Sequence, residues 1–138
     1  MVPPPGEMQE INRKLITEFR ENGRELPGRP ILLLTTVGAR TGQRRTTPMM
    51  FVRLDGRLLV IASNAGAPKH PDWYRNLVAN PAVTVEAEGR QYAATATPAK
   101  GADRDELFGR IVAQYPFFAD HQNGIERTIP VVELTPVE

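Results

Sequence analysis

Residues 46–63 read TTPMMFVRLDGRLLVIAS and decide the fold more strongly than any other stretch of the chain. Residues 46–54 are interpreted as a β-strand whose side chains take alternate faces, with Thr47, Met49, Phe51 and Arg53 on one face and Met50, Val52 and Leu54 on the other. Asp55-Gly56 then supplies a tight hairpin turn into Arg57–Ser63, in which Leu58–Ala62 is continuously apolar. The segment therefore predicts an antiparallel hairpin. Pro48 lacks an N–H donor, so its strand is expected to lie at a sheet edge or to contain a bulge.

The rest of the chain extends this hairpin into a small α+β domain. Apolar spacings of three and four predict helices at about 7–22, 71–80 and 103–115, the last with a capping box formed by Asp103 and Glu106. Further strands are predicted at 31–37, 83–87, 90–97 and about 129–134. Six short strands joined largely by tight turns favour a small antiparallel barrel, because closure removes exposed sheet edges.

Composition excludes several classes of function. The chain has 138 residues, a net charge of +1 and no cysteine. The length suits one domain, and the near-zero charge gives no global field that would attract nucleic acid. Disulfides and cysteine-ligated metals are excluded, and His70 and His121 have no helical partner histidine, so no metal site is predicted.

The charge distribution is more informative than the total. No acidic residue occurs between Leu26 and Leu54, whereas that stretch contains Arg29, Arg40, Arg44, Arg45 and Arg53. Three of these arginines flank the glycine-bracketed turn 38–42. Guanidinium groups and freed backbone amides bind phosphate and carboxylate oxygens, so the turn predicts a site for a phosphorylated or polycarboxylate ligand. The alternative is a solvated hairpin with surface arginines.

Two further segments could serve a flat ligand. The small residues of 63–67 follow a buried strand and would let a ring approach the backbone closely, although a plain loop explains them equally. Tyr115, Phe117, Phe118 and His121 cluster after a predicted helix and could wall a pocket. The alternative for this cluster is a helix end that faces the core.

These motifs together resemble the deazaflavin-dependent nitroreductase family, of the FDOR-A-like split β-barrel type. The resemblance is carried by TTVGARTGQRRTTP at 35–48, ASNAGA at 62–67, KHPDWYRNLVANP at 69–81 and RTIP at 127–130. It covers the chain from about Ile31 onward. It implies a split barrel that binds coenzyme F420 over residues 31–138, preceded by an amphipathic helix and linker over residues 1–30.

The resemblance also implies a site. Arg40 and Arg45 would hold the phosphate and tail carboxylates of F420, with backbone contributions from Ala39 and Thr41. The ring would be lined by residues of two strands and the loop after them: Thr46, Thr47, Pro48, Met49, Met50, Ile61, Ala62, Ser63 and Asn64. The site would be closed by a helix segment: Asp72, Trp73, Tyr74, Arg75 and Asn76. The substrate pocket would comprise Met50, Tyr115, Phe118 and His121, with Ser63 and Tyr115 as catalytic residues that orient the substrate or donate a proton.

A family member of this type transfers a hydride from the reduced deazaflavin to an electron-poor double bond of a quinone, enone or nitroaromatic. Met50, Phe118 and His121 stand where nitroimidazole-activating members have more tyrosines, so hydrogen bonds to a nitro group are expected to be lost. Asn64 stands where a lysine is frequent, which removes one expected contact to the tail.

Two other functions share these motifs. One is a carrier that binds F420 without turnover, and the other is a split barrel that binds FMN or haem. The expected location is the cytoplasm. Contact of the N-terminal helix with a membrane surface is the less favoured alternative to packing on the barrel, because four glutamates on that helix would repel anionic lipid. Residue patterns leave the oligomeric state open.

Overall fold

The computed structural model describes residues 5–137; residues 1–4 and 138, at the outer ends of the two predicted segments, lie outside the described residues. The helices are α1 (Pro5–Glu21), α2 (Asp72–Ala79), α3 (Gly101–Gln114) and α4 (Phe117–Asn123), with a short 3-10 turn at Asn64–Gly66. The strands are β1 (Ile31–Val37), β2 (Arg44–Leu54), β3 (Arg57–Ile61), β4 (Ala82–Ala87), β5 (Arg90–Pro98) and β6 (Val131–Pro136).

The six strands form a closed antiparallel barrel in the order β1-β2-β3-β6-β5-β4. This confirms the predicted α+β class and the six-stranded barrel. Asp55 and Gly56 both have positive φ, at 54° and 79°, which is the backbone conformation that a two-residue hairpin turn requires. Glu88 and Gly89 repeat that geometry between β4 and β5.

Two apolar cores lie on opposite sides of the sheet. The inner core fills the barrel with side chains such as Leu34, Val60 and Val85. The outer core lies between the other face of β2, β3 and β6 and the helices α3 and α4, and includes Leu59 and Ile111. Because β3 is covered on both faces, its sequence is continuously apolar instead of alternating.

Strand β2 changes its neighbour part-way along its length. It pairs with β1 from Arg44 to Met50 and with β3 only from Phe51 to Leu54. The amide of Phe51 donates to the carbonyl of Pro30, on the β1 side. Backbone amides along a strand point alternately to its two sides, so the nitrogen of Pro48, three residues earlier, points away from β1. On that side this part of β2 has no paired strand in the described chain. Pro48 therefore removes no ladder hydrogen bond, and its half of β2 is an edge, as predicted.

Several element boundaries differ from the sequence prediction, including β6, which spans Val131–Pro136 instead of about 129–134. The capping box is wrong: α3 begins at Gly101 without a side-chain cap, and Asp103 instead accepts two hydrogen bonds from Arg57. Helix α4 was not predicted, because Pro116 was expected to end the helical region. Proline suits a first helical turn, where its missing N–H has no partner to lose, so Pro116 ends α3 and begins α4. Strand β3 ends at Ile61 and does not reach Ser63.

Helix α1 is fastened to the outside of the barrel. Phe19 is fully buried, and Glu86 on β4 is only 1% exposed. Arg20 donates two hydrogen bonds to the Glu86 carboxylate and Arg24 donates a third, at 2.9–3.1 Å. The hydrogen bonds from Arg20 hold the pKa of Glu86 below its ordinary value. Among residues 5–137 no helix is long and apolar enough to cross a membrane.

Glu86→Gln should lower the free energy of unfolding by about 1–3 kcal/mol at pH 7, because charge-assisted hydrogen bonds to a buried carboxylate are lost. The pKa of Glu86 is lower in the folded state, so its contribution is present above pH 4.5 and disappears as the pH falls through the folded-state pKa. Urea unfolding at pH 7 and at pH 3 measures both effects.

Glu88→Gln is the matched control, since Glu88 forms an exposed ion pair with Arg53 close to Glu86 in sequence. Its cost should stay below about 1 kcal/mol. Equal costs for the two variants would contradict the assignment of Glu86 as the anchor of α1.

Candidate functional site

A cleft of about 370 Å³ opens between the turn after β1 and the first turns of α2. Its walls are contributed by the following residues: Gly38, Ala39, Arg40, Thr41, Arg45, Asp72, Arg75 and Asn76. Seven of these were predicted as cofactor ligands from sequence. The structure thus brings together the arginine turn and the helix, although more than thirty residues separate them along the chain.

The turn 38–42 is compact and leaves backbone donors free. The amide of Gly38 donates to the carbonyl of Gln43 at 2.7 Å, and that of Gly42 donates back to the carbonyl of Gly38 at 2.9 Å. A Cβ on Gly38 would lie 2.9 Å from Thr41 Oγ1 and 3.2 Å from the carbonyl oxygen of Gln43, so a larger residue would require the turn to shift. In the described chain the amides of Arg40 and Thr41 have no protein acceptor, and two free amides in a tight turn suit an anion.

Asn76 fastens this turn to α2. Its side-chain oxygen accepts a hydrogen bond from the amide of Ala39 at 3.0 Å, and its side-chain nitrogen donates to Thr36 Oγ1 at 3.1 Å. Asn76 is buried. The Ala39 amide, which the sequence assigned to the cofactor, is therefore already used inside the protein, and Asn76 supports the cleft from behind.

Several arginines elsewhere in the described chain are paired with carboxylates, whereas those around the cleft are not. Arg20, Arg53, Arg57 and Arg110 each lie within 4 Å of a carboxylate. Within residues 5–137, no carboxylate lies within 4 Å of the arginines around the cleft, which are Arg40, Arg44 and Arg45 near the turn and Arg75 on α2. Asp72 is the one acidic residue in the cleft lining, so the cleft has a net positive charge suited to an anion.

The loop 62–70 lies beyond the other end of the open half of β2. It contains Ser63, which is buried, and Asn64, whose side-chain amide donates to the carbonyl of Lys69. Arg127, a residue that sequence reasoning treated only as part of a motif, lies against this loop and hydrogen-bonds to it. A tertiary contact across more than sixty residues gave no local signal in the sequence.

Helix α4 brings the predicted aromatic residues together on that side. Phe117 makes ring contacts with Tyr115, Phe118 and His121 at centroid distances of 4.3–6.2 Å. His121 also packs on Gly66 of the loop. Phe118 is 4% exposed and belongs to the outer core, with Met50 and Tyr115 packed against that core. Tyr115 and His121 are partly exposed, so they are the pocket candidates that a ligand could reach.

Other residues predicted to line the ring are spread over both cores. Met49, Trp73 and Tyr74 pack on the inner core, and burial raises the pKa of Tyr74. Ile61 belongs to the outer core and Ala62 is fully buried. Thr46 shares a hydrogen bond with Thr35 at 2.7 Å between their hydroxyl groups. Thr47, Pro48 and Met50 are partly exposed along the open half of β2.

Among residues 5–137, His121 Nδ1 is the fully buried side-chain polar atom that lacks a hydrogen-bond partner. The hydroxyl groups of Ser63 and Tyr115 also make no hydrogen bond within the described chain. Neither hydroxyl oxygen is fully buried, so both hydroxyl groups retain some accessibility. Unpaired hydroxyl groups at a partly open site can donate to a ligand.

A larger groove of about 710 Å³ lies between α1 and the segment 26–29. Its charged side chains alternate in sign, with Arg13 and Lys14 beside Glu18 and Glu21. It is also open and lacks the glycine turn. The smaller cleft combines one sign of charge with free backbone amides, so it is the better candidate for ligand binding.

Asn76→Ala should free the Ala39 amide and leave the buried Thr36 hydroxyl without its donor. The free energy of unfolding should fall by about 1–3 kcal/mol, as expected when buried polar groups lose their partners. Hydrogen exchange of the Ala39 amide should accelerate markedly. Asn80→Ala on the exposed end of α2, where the side chain accepts from the Ala82 amide, is the control. Unchanged exchange at Ala39 would show that Asn76 does not hold the turn.

Known proteins of similar sequence belong to one family of reductases. Residues 8–136 match the model of the F420H(2)-dependent quinone reductase family. The chain is 38% identical over 117 residues to an F420H(2)-dependent quinone reductase of Mycobacterium tuberculosis, covering 82% of this chain and 78% of that protein. A second, putative F420H(2)-dependent quinone reductase of the same organism is 32% identical over 107 residues, covering 78% of this chain and 90% of the relative.

Solved structures show the same fold. An F420-H2 dependent reductase (FDR-A) is 39% identical with a TM-score of 0.68, and the match covers 77% of this chain and 94% of that one. A chain described as a domain-swapped dimer is 34% identical with a TM-score of 0.72, covering 96% and 99% of the two chains. With its barrel, arginine turn and matched motifs, the chain belongs to the F420H(2)-dependent quinone reductase family.

Proposed function

We propose that this protein is a reductase that binds reduced coenzyme F420 in the arginine cleft and transfers a hydride to a quinone. The observation that carries the proposal is the cleft itself, where Arg40, Arg45 and Arg75 have no carboxylate partner in the described chain. A phosphate and a polyglutamate tail are the anionic parts of F420. Family membership supports the same cofactor.

The residues around the cleft fit this cofactor. Arg40 and Arg45 would bind the phosphate and tail carboxylates, assisted by the free amides of Arg40 and Thr41. Arg75 on α2 adds positive charge from the opposite wall. The ring would lie along the open half of β2, beside Thr47, Pro48 and Met50, where backbone groups have no strand partner. Asn76 and Ala39 would hold the cleft in shape from behind.

When bound, reduced F420 would supply a hydride, which carries two electrons. The protein must orient the acceptor against the ring, exclude competing water and deliver one further proton to the acceptor oxygen. The hydroxyl groups of Ser63 and Tyr115 are the donors we assign to that proton or to substrate orientation. Both are free of partners within the described chain, whereas the Thr46 hydroxyl is already engaged by Thr35.

The pocket residues favour a flat aromatic acceptor. Tyr115, Phe117 and His121 present ring edges and faces around the start and middle of α4. A quinone is planar and can stack on such rings. A bicyclic nitroimidazole would require additional donors to its nitro group, and Met50 and Phe118 offer none, so we expect quinones to be the better substrates.

Arg40→Glu should weaken F420 binding about 10- to 100-fold, because one charge-assisted contact is lost and a like charge faces the anionic tail. Arg44→Glu makes the same change of charge at the first residue of β2, close to the turn, but Arg44 does not line the cleft. Titration of both variants with F420 at two salt concentrations measures the difference. Equal losses for Arg40→Glu and Arg44→Glu would reject the assignment of the tail site.

Addition of the protein to reduced F420 and menadione should accelerate oxidation of the cofactor. Tyr115→Phe should lower kcat about 10- to 100-fold with little change in F420 affinity if its hydroxyl delivers the proton. Ser63→Ala tests the second donor in the same assay, and kcat against pH compares the two variants.

Two outcomes would replace the proposal. Tight F420 binding without turnover over a broad panel of quinones and enones, unchanged by Tyr115→Phe, would make the protein a cofactor carrier. Tighter binding of FMN than of F420 would assign the barrel to a flavin.

A further inference from the structure

The loop 62–70 contains a strained alanine. Asn64, Ala65 and Gly66 are three consecutive residues with positive φ, at 51°, 55° and 81°. Asparagine and glycine adopt this region more readily than other residues, whereas Ala65 is strained there and keeps this conformation only where surrounding structure enforces it. The loop is therefore held in place by contacts from outside it.

Arg127 provides most of those contacts. Its guanidinium group donates to the carbonyls of Ala62, Ser63 and Ala67 at 2.9–3.2 Å, and Nη1 also lies 3.2 Å from His70 Nδ1. Two of these bonds converge on Ala67. An arginine side chain has five N–H donors in a fixed fork, and all five have partners here. The contacts connect the beginning, middle and end of the loop.

The charge of Arg127 is not balanced in the described chain. Its partners are three carbonyls and an imidazole, and no carboxylate among residues 5–137 lies within 4 Å of it. Burial consequently lowers the pKa of the guanidinium group. Arg57 at the opposite end of β3 instead pairs with both Asp103 and Glu133. Arg127 therefore stabilises the conformation of the loop through hydrogen bonds and forms no ion pair with residues 5–137.

We infer that Arg127 is a positioning residue of the reductase site, which fixes the loop that carries Ser63 beside the open half of β2. The inference deepens the proposed function and rests on it, because Ser63 matters only if a ligand binds along that edge. Helix α4 closes the other side of the loop, where His121 packs on Gly66. The loop thus lies between the guanidinium group of Arg127 and helix α4.

His70 gives a direct reporter of the Arg127 contact. Because Nη1 of Arg127 donates to Nδ1, the proton of the neutral imidazole must lie on Nε2. Burial first, and then the charges of Arg127 and Arg75, lower the pKa of His70. The ring also packs against Tyr74 at a centroid distance of 4.7 Å, with the two ring planes tilted by 41°. Removal of the guanidinium group should therefore raise the pKa of His70, which NMR of the protein without cofactor can follow.

The test compares Arg127→Met and Arg127→Lys with the control Arg57→Met. Arg127→Met should speed hydrogen exchange at the Gly66 and Ala67 amides, weaken F420 binding about 10-fold and lower kcat with menadione about 10-fold or more. Arg127→Lys keeps the charge but has no planar fork, so it should show smaller losses in the same direction. Arg57→Met should lose stability but keep F420 affinity and kcat within twofold of wild type.

Two results would overturn the inference: F420 affinity and kcat within twofold of wild type in a folded Arg127→Met protein, or losses no larger than those of Arg57→Met at equal thermal stability. If Arg127→Met does not fold, unchanged loop exchange and unchanged F420 affinity in Arg127→Lys would overturn it as well. The exchange and His70 readouts need no cofactor. A wild-type protein that fails to oxidise reduced F420 therefore rejects the proposed function separately.

Discussion

The length of β2 is the constraint on which the site depends. The strand has 11 residues, and its first half pairs with β1 whereas its last four residues pair with β3. The backbone of the first half therefore has one open side in the described chain. Backbone polar groups need partners, so an open strand edge beside a cleft is suited to a ligand that supplies them.

Ion pairing distinguishes the candidate cleft from several helix–strand contacts. Ion pairs fasten α1 to β4, α3 to β3 and the β2–β3 turn to α3 through Arg20, Arg57 and Arg110. The arginines around the cleft have no such partners in the described chain. A cluster of like charges in a folded protein is unfavourable unless an anion is bound there, so binding of an anion would stabilise the cleft. The same turn is rigid before binding because Asn76 and the bonds at Gly38 fix it.

The two ends of the open edge are built differently. At the cleft, backbone amides and arginines face outward from a tight glycine turn. At the other end, a strained loop and a short aromatic helix form the wall, and Arg127 is consumed entirely by backbone carbonyls and His70. This division suits a long ligand that is anionic at one end and aromatic at the other. Preorganisation at both ends lowers the ordering cost that binding would otherwise incur.

The sequence by itself determined the elements that local physics controls. The hairpin at Asp55-Gly56, the six strands and the arginine turn followed from alternation, turn chemistry and an uneven charge distribution. Tertiary structure alone decided the rest. Asp103 pairs with Arg57 instead of capping its helix, and the Ala39 amide is taken by Asn76 instead of a ligand. Arg127 reaches the loop 62–70 across more than sixty residues. In each case a polar group has several possible hydrogen-bond partners that are distant in sequence. Only the folded chain decides which of these partners lies within hydrogen-bond distance.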